Sequence, residues 1–375
     1  MVDFSRYHRQ IILPGVGEAG QRRLSESTVL IVGAGALGSA IADSLARAGV
    51  GRLRIVDRDV VEWTNLQRQV LYDESDARAG LPKAEAARRK LQAINSRITI
   101  EAVVDDFNAA NARSLSDGAD LIMDGLDNFQ TRYLLNDLAV WSGRPYIYGG
   151  AIGTGGMSMT VLPASSHRNG SVPPGRIQWD DSQTTPCLRC MFPDPPPAGS
   201  TPTCDTAGVM HAAVSMVTAH QCAQAFKLLT GRVDRVDRSL WSVDLEANTT
   251  HRMQIDAARR DDCVCCGRGN FEYFDGQRGG RAAALCGRDA VQIIPSGSID
   301  LDLDTLAGRL ADHGEFTRTA HLVRGTLHHT SSDNGDGEAG GSPIGLTVFP
   351  NGRAMIHGVD EPDRARAIYS RYVGD

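Results

Sequence analysis

Residues 28–57 read TVLIVGAGALGSAIADSLARAGVGRLRIVD. Thr28–Val32 is a short, β-branched apolar run, the pattern of a buried strand. It passes directly into Gly33, Gly35 and Gly38, spelling G-x-G-x-x-G, and then into apolar residues at helical spacing that Gly49 and Gly51 bring to an end. A second strand, Arg52–Val56, ends at Asp57. Glycines in these places let a phosphate approach the backbone at a helix N-terminus, and a carboxylate at the next strand end accepts hydrogen bonds from ribose hydroxyls. The pattern predicts nucleotide binding; the competing reading is tight turn packing with no ligand. Alone, it suggests an NAD enzyme.

The alternation continues outward. The sequence predicts a helix over 81–94, opened by Pro82, a strand at Ile98–Val104, a helix at Ala109–Leu115 and a strand at Asp120–Met123. A helix at Gln130–Trp141, a strand at Pro145–Tyr148 and the glycine-rich YGGAIGTGG follow. Strands alternating with helices predict an α/β, Rossmann-like, doubly wound sheet, preceded by a polar N-terminal arm. Residues 163–203 are rich in Pro, Gly and Ser and read as long loops, before a helix at Gly208–Thr230 and a strand at Ser239–Asp244. Residues 1–270 are expected to form this domain. From 271 to 375 we expect a separate small α/β domain: a strand (Ala290–Ile294), a helix (Leu303–His313), a strand (His321–Leu327), a polar loop, a hairpin (Gly345–Phe349, Arg353–Ile356) and a terminal helix (Pro362–Val373).

Composition narrows the function. The 375 residues carry 39 Lys+Arg against 45 Asp+Glu, net −6, which does not offer the basic face nucleic acid needs. No apolar run approaches the ~20 residues that span a bilayer, and the first ten residues hold no apolar signal region. A cytoplasmic protein without membrane or nucleic-acid partners is the expectation. Eight cysteines in a reducing compartment argue against a disulfide framework.

Charges gathered behind Asp57 alter the NAD reading. Asp59, Asn65, Arg68 and Gln69 follow within twelve residues, Lys83 opens a helix, and Asp127-Asn128 succeed the strand-end Asp124. A dinucleotide oxidoreductase has no need to collect Arg, Lys and Asp around phosphates. Phosphoryl or nucleotidyl transfer does, because charge builds on phosphate oxygens and magnesium must be held. Taken singly, Arg9 or Lys83 reads as a solvated surface charge, and Asp124 and Asp127 as caps of a strand-to-helix turn.

Cys187-x-x-Cys190 and Cys263-x-x-Cys266 can supply four thiolates to a tetrahedral zinc site, although Cys265 could replace Cys266 with a one-residue shift. A redox role for Cys187/Cys190 is the alternative, without the strand-to-helix setting of a thioredoxin. Cys204 precedes a helix, where backbone donors lower a thiol pKa; an inert loop thiol is the competing reading. His211 and His220 on that helix read as packing residues. Cys286 in LCGRDAV is too sparsely supported to read as a persulfide loop.

In order along the chain, RYHRQIILPGVG, GAGALGS, DRDVVEWTNLQRQ, the LPK ending at Lys83, MDGLDN, CLRC, TCDTAGVM and CVCC resemble the ThiF/MoeB family of sulfur-carrier-protein adenylyltransferases, bacterial relatives of the ubiquitin-activating enzymes. The resemblance runs from about residue 4 to 267. It implies ATP, magnesium and zinc, with Asp57 on the ribose, Asn65, Arg68 and Lys83 around the triphosphate, and Asp127 on magnesium. It also implies a homodimer in which Arg9 reaches the partner's ATP site, and Cys187, Cys190, Cys263 and Cys266 as zinc ligands tying an extension to the sheet. In some members the cysteine matching Cys204 takes part in sulfur transfer or in a covalent link to the carrier. The family's glycine loop often has a further glycine where this chain has Ala36; one methyl there narrows the approach to the backbone. The implied activity is adenylation of the C-terminal glycine of a ubiquitin-like sulfur carrier, ThiS- or MoaD-like, with a sulfur donor protein as a further partner. Its rivals are an NAD(P)-dependent oxidoreductase and a zinc-stabilised scaffold without catalysis.

Overall fold

Eight strands build the larger sheet: β1 (Thr28–Val32), β2 (Arg52–Val56), β3 (Thr99–Val103), β4 (Leu121–Asp124), β5 (Tyr146–Ile152), β6 (Gly155–Val161), β7 (Ser239–Asp244) and β8 (Thr249–Gln254). The computed structural model that shows them describes residues 4–164, 177–194, 207–278, 282–284, 290–294, 300–328, 343–359 and 361–373. The spatial order is β3-β2-β1-β4-β5-β6-β7-β8. Strands β3 to β5 run parallel, and β6, β7 and β8 are added antiparallel. The winding reverses between β1 and β4, which opens a crevice at their C-terminal ends.

Alternate residues of β1 feed opposite faces, as the two-residue period of a strand requires. Val29 and Ile31 meet Ile41, Leu45, Leu91, Val214 and Leu228 of the helices Ala36–Ala48, Lys83–Ile94 and His211–Leu229. Leu30 and Val32 face Leu134, Leu135 and Leu138 of the helix Phe129–Ser142. The expected α/β doubly wound architecture is present.

Three elements of the N-terminal arm and the larger sheet depart most from the sequence reading. The polar arm contains a helix, Gly17–Glu26, whose Gln21 is buried and donates to the Ala48 carbonyl. The glycine-rich stretch is the end of β5, a turn, and β6. A Cβ on Gly149 would collide with the Gln221 side chain, so this glycine lets the helix His211–Leu229 lie flush on the sheet. The third is β8, an edge strand almost wholly exposed and so without apolar alternation.

The chain divides into two compact units, Met1–Arg278 and Gly279–Asp375. Phe271–Arg278 thus belongs with the first unit: Tyr273 stacks on Tyr133 and Phe274 packs on Trp141. The second unit holds β9 (Ala282–Ala284), β10 (Ala290–Ile293), β11 (Gly314–Arg318), β12 (Val323–Leu327), β13 (Gly345–Val348) and β14 (Ala354–His357) in an antiparallel sheet ordered β11-β12-β13-β14-β10-β9. Its core joins Val291, Val323, Leu346 and Ile356 to Leu306, Leu310, Ile368 and Tyr369 of the helices Leu303–Leu310 and Pro362–Tyr372. The helix expected to reach His313 stops at Leu310, and β11 follows, unanticipated. Cys204, Cys286 and the polar loop 331–341 lie outside the described residues. No described helix is long and apolar enough to cross a membrane.

Candidate active site and metal centre

At the switch point, Gly33 adopts φ +88° and donates its N–H to the Val56 carbonyl at 2.8 Å. A Cβ there would stand 2.6 Å from the Gly125 carbonyl oxygen, and one on Gly38 would overlap the Gly33 carbonyl. Gly33, Gly38 and Gly125 therefore pack backbone to backbone. Gly35 differs. A Cβ on it would meet nothing nearer than Gln69 Nε2 at 3.9 Å, so open space remains beside the N-terminus of the helix Ala36–Ala48. Ala36, the first residue of that helix, is half-buried.

Asp57 secures the loop. One oxygen accepts the Ala34 N–H at 2.6 Å and the other the Asp59 N–H at 2.7 Å, which leaves lone pairs for further donors. Burial raises its carboxyl above the ordinary range, partly opposed by the Lys83 charge and assisted by Asp59. Lys83, only 3 % exposed, opens its helix with Nζ 3.1 Å from Asp59 Oδ2. Tyr72, unanticipated, donates to the Ala34 carbonyl at 2.7 Å and so braces the glycine loop. Gln69 is buried and its Oε1 has no hydrogen-bond partner among the described residues. Asn65 is also buried; its side chain accepts the Glu62 N–H in a reciprocal cap. Arg68 is half-buried, with Nη1 on the Thr64 carbonyl.

Across the crevice, Asp127 is exposed and Asn128 caps the helix Phe129–Ser142 by accepting the Thr131 N–H at 2.9 Å. Behind them lies a network the sequence reading missed. Arg132 donates to the carbonyls of Leu126 (2.6 Å) and Gly149 (2.8 Å) and pairs with Asp124 at 3.3 Å. Tyr146 donates to the same carboxylate at 2.6 Å. Burial raises the Asp124 pKa despite Arg132; burial also opposes the Arg132 charge, but Asp124 together with Tyr148, Tyr146 and Asp127 raises its pKa overall. This network holds the loop bearing Asp127. Arg132 and Tyr146 carry no motif of their own, and the bonds from Arg132 to Gly149 and from Tyr146 to Asp124 join residues 17 and 22 apart in the chain. Arg9 stands exposed on the short helix His8–Ile11, outside this group.

The thiols of Cys187, Cys190, Cys263 and Cys266 lie within 4.8 Å of one another, all buried. Contacts of 3.4 Å (Cys190–Cys266), 3.7 Å (Cys187–Cys263) and 3.9 Å (Cys187–Cys190) bracket the ~3.8 Å between sulfurs around one tetrahedral zinc. The donor set fits a metal ion. Cys265 is not in that group: its sulfur accepts from Asn136 Nδ2 at 3.3 Å, and burial pushes its thiol up to about 11.

A model of the ThiF family matches residues 7–265. The chain belongs to the ThiF family. Along this ThiF chain, 370 residues are 39 % identical to the sulfur carrier protein ThiS adenylyltransferase of Bacillus subtilis, covering 98 % of this chain and 99 % of that protein. The sulfur carrier protein adenylyltransferase of Thermus thermophilus is 38 % identical over 266 residues, 71 % of this chain and 91 % of that one. Among solved structures, Escherichia coli MccB with ATP superposes with a TM-score of 0.56 at 20 % identity, over 71 % of this chain and 75 % of MccB. That likeness concerns the fold of the ThiF unit alone.

Proposed function

We propose that this chain adenylates the C-terminal glycine carboxylate of a ubiquitin-like sulfur carrier with ATP. The observation that carries the reading is the open backbone at Gly35, set at the sheet's switch point between the Lys83–Asp59 pair and the Asp127 loop. An NAD(P) oxidoreductase would leave that buried lysine and the braced acidic loop without work. The relative matched along nearly the whole of both chains is named for ThiS, which supports a ThiS-like carrier here.

The carrier carboxylate is already ionised at neutral pH and needs no general base. One of its oxygens attacks the α-phosphorus; the new acyl–O–P bond forms as the Pα–O–Pβ bond breaks and pyrophosphate leaves. A sulfur nucleophile then displaces AMP. Catalysis is positioning plus neutralisation of phosphate charge. The N–H groups at the start of the helix Ala36–Ala48 and Lys83 receive phosphate oxygens, and Arg68 turns its fork to them. The spare lone pairs of Asp57 take the ribose hydroxyls, and the buried Oε1 of Gln69 accepts a further donor. Asp127 holds magnesium, which supplies Lewis-acid neutralisation of the polyphosphate when bound. Arg9 serves the site of a second copy, and the four thiols hold zinc. Adenylation assigns no step to Cys204.

The deciding experiment is ATP–pyrophosphate exchange with purified ThiS-like and MoaD-like carriers. Exchange dependent on a carrier with an intact C-terminal glycine is expected; no exchange with either refutes the reading.

A further inference from the structure

The helix Phe129–Ser142 that follows the Asp127 loop also forms the back wall of the thiol centre. Its Asn136 is fully buried. The Oδ1 atom accepts the Leu188 N–H at 2.7 Å, and Nδ2 donates to Cys265 Sγ at 3.3 Å. Leu188 follows Cys187 and opens the short helix Leu188–Met191, so its N–H has no partner within that helix. Cys265 lies between Cys263 and Cys266 in the second pair. One side-chain amide therefore grips both halves of the centre, 52 and 129 residues away along the chain. Neighbouring residues on the same helix assist: Asp137 Oδ2 accepts the Tyr273 N–H at 3.0 Å and Tyr133 donates to the Phe192 carbonyl at 2.8 Å.

We infer that Asn136 is a positioning residue of the metal centre, latching the two cysteine pairs at the spacing one metal ion requires. Only a side chain that both accepts and donates can do this. Aspartate would keep the Leu188 bond and lose the donor to Cys265; alanine would lose both and leave a buried N–H unsatisfied. Holding the pairs in register spares the metal the cost of ordering them, which is why groups behind the ligands govern affinity and release. The inference rests on zinc occupying the four thiols.

The test compares zinc-loaded wild type, Asn136→Ala, Asn136→Asp and Cys265→Ala. Zinc release into excess EDTA is timed at room temperature, and Tm is measured with and without zinc. We expect Asn136→Ala to release zinc roughly ten to a hundred times faster. Asn136→Asp and Cys265→Ala fall between it and wild type. The Tm gain on loading with zinc should be smaller in Asn136→Ala than in wild type, whereas simple packing damage would lower both forms alike. Wild-type release rates in Asn136→Ala and Cys265→Ala, or equal Tm losses with and without zinc, overturn the latch. If Asn136→Ala does not fold, Cys265→Ala alone decides. A wild-type chain that takes up no zinc overturns the zinc assignment and the latch with it, an outcome distinct from a zinc-bearing wild type with indifferent variants.

Discussion

The Gly33 α-carbon faces the Gly125 carbonyl so closely that a Cβ would leave only 2.6 Å to that oxygen, in a backbone conformation, φ +88°, that L side chains rarely adopt. Gly38 fills the third side of the same contact. Gly38→Ala must push the helix Ala36–Ala48 off the sheet, costing about 3 kcal/mol and abolishing ATP binding. Gly35→Ala should lower Tm far less, yet weaken ATP at least tenfold. Calorimetric titration with ATP and thermal melts separate the two, and equal melts would contradict the division of labour.

Asp127 is exposed and accepts a long hydrogen bond from Asn128 Nδ2, 3.4 Å. Asp127→Ala should therefore melt like wild type while carrier-dependent pyrophosphate exchange falls a hundredfold or more. Exchange near wild type would remove this carboxylate from the mechanism.

Lys83 and Arg9 predict different signatures. Lys83→Ala removes the closer cation of a largely buried pair, with Arg58 Nε 3.8 Å from the same Asp59 carboxylate, and should cost about 2 kcal/mol as well as activity. Arg9→Ala should cost activity with no loss of stability. Mixed preparations of the two inactive variants should regain exchange at one site per pair of chains. No recovery on mixing, or a monomer in sedimentation at assay concentration, excludes the shared site.

Among the five clustered cysteines, Cys190 and Cys265 should diverge in metal content. Cys190→Ser is expected to fall well below one zinc per chain by elemental analysis and to melt earlier, because structural zinc binding is folding free energy. Cys265→Ser should retain its zinc at equilibrium. Full zinc in Cys190→Ser would mean the ligand set is different.

His220 sets a pH dependence. Its ring stacks on Trp241 at 4.5 Å and lies 3.4 Å from Asp237, with Gln224, Lys227 and Arg252 around it. Burial lowers its pKa below 6.5, against the pull of Asp237. The folded ring stays neutral where the unfolded one binds a proton, so its contribution is full above pH 6.5 and declines as pH falls toward the folded value. The slope is at most about 1.4 kcal/mol per pH unit. Urea unfolding between pH 5 and 8 should show it in wild type but not in His220→Phe.

Where local pattern and tertiary packing agree, the sequence was legible to the residue. Thr28–Val32, Arg52–Val56 and Ser239–Asp244 are strands with the expected bounds, because each alternates into a core. The strand Thr249–Gln254 escaped notice because its residues pair on one edge and face solvent on both sides. The glycines of β5 and β6 gave no strand pattern because the helix that requires them lies some sixty residues on. In the candidate site, the partners that hold the named residues were not legible in the motifs. Gly33 and Gly38 answer to Gly125, and Asn65 to Glu62. The supports Tyr72, Arg132 and Asn136 owe their places to carbonyls, a carboxylate and a sulfur that only the fold brings near.

The cysteine pairs also bear on how the chain is made. Cys187 and Cys263 meet across 76 residues, and the second pair lies at the far end of the first unit. A ribosome will have released the glycine loop, Lys83 and Asp127 long before Cys266 emerges. All four sulfurs are available to a metal ion only once Cys266 has emerged, close to the end of the first unit. A chain truncated before Cys266 cannot complete that group of four.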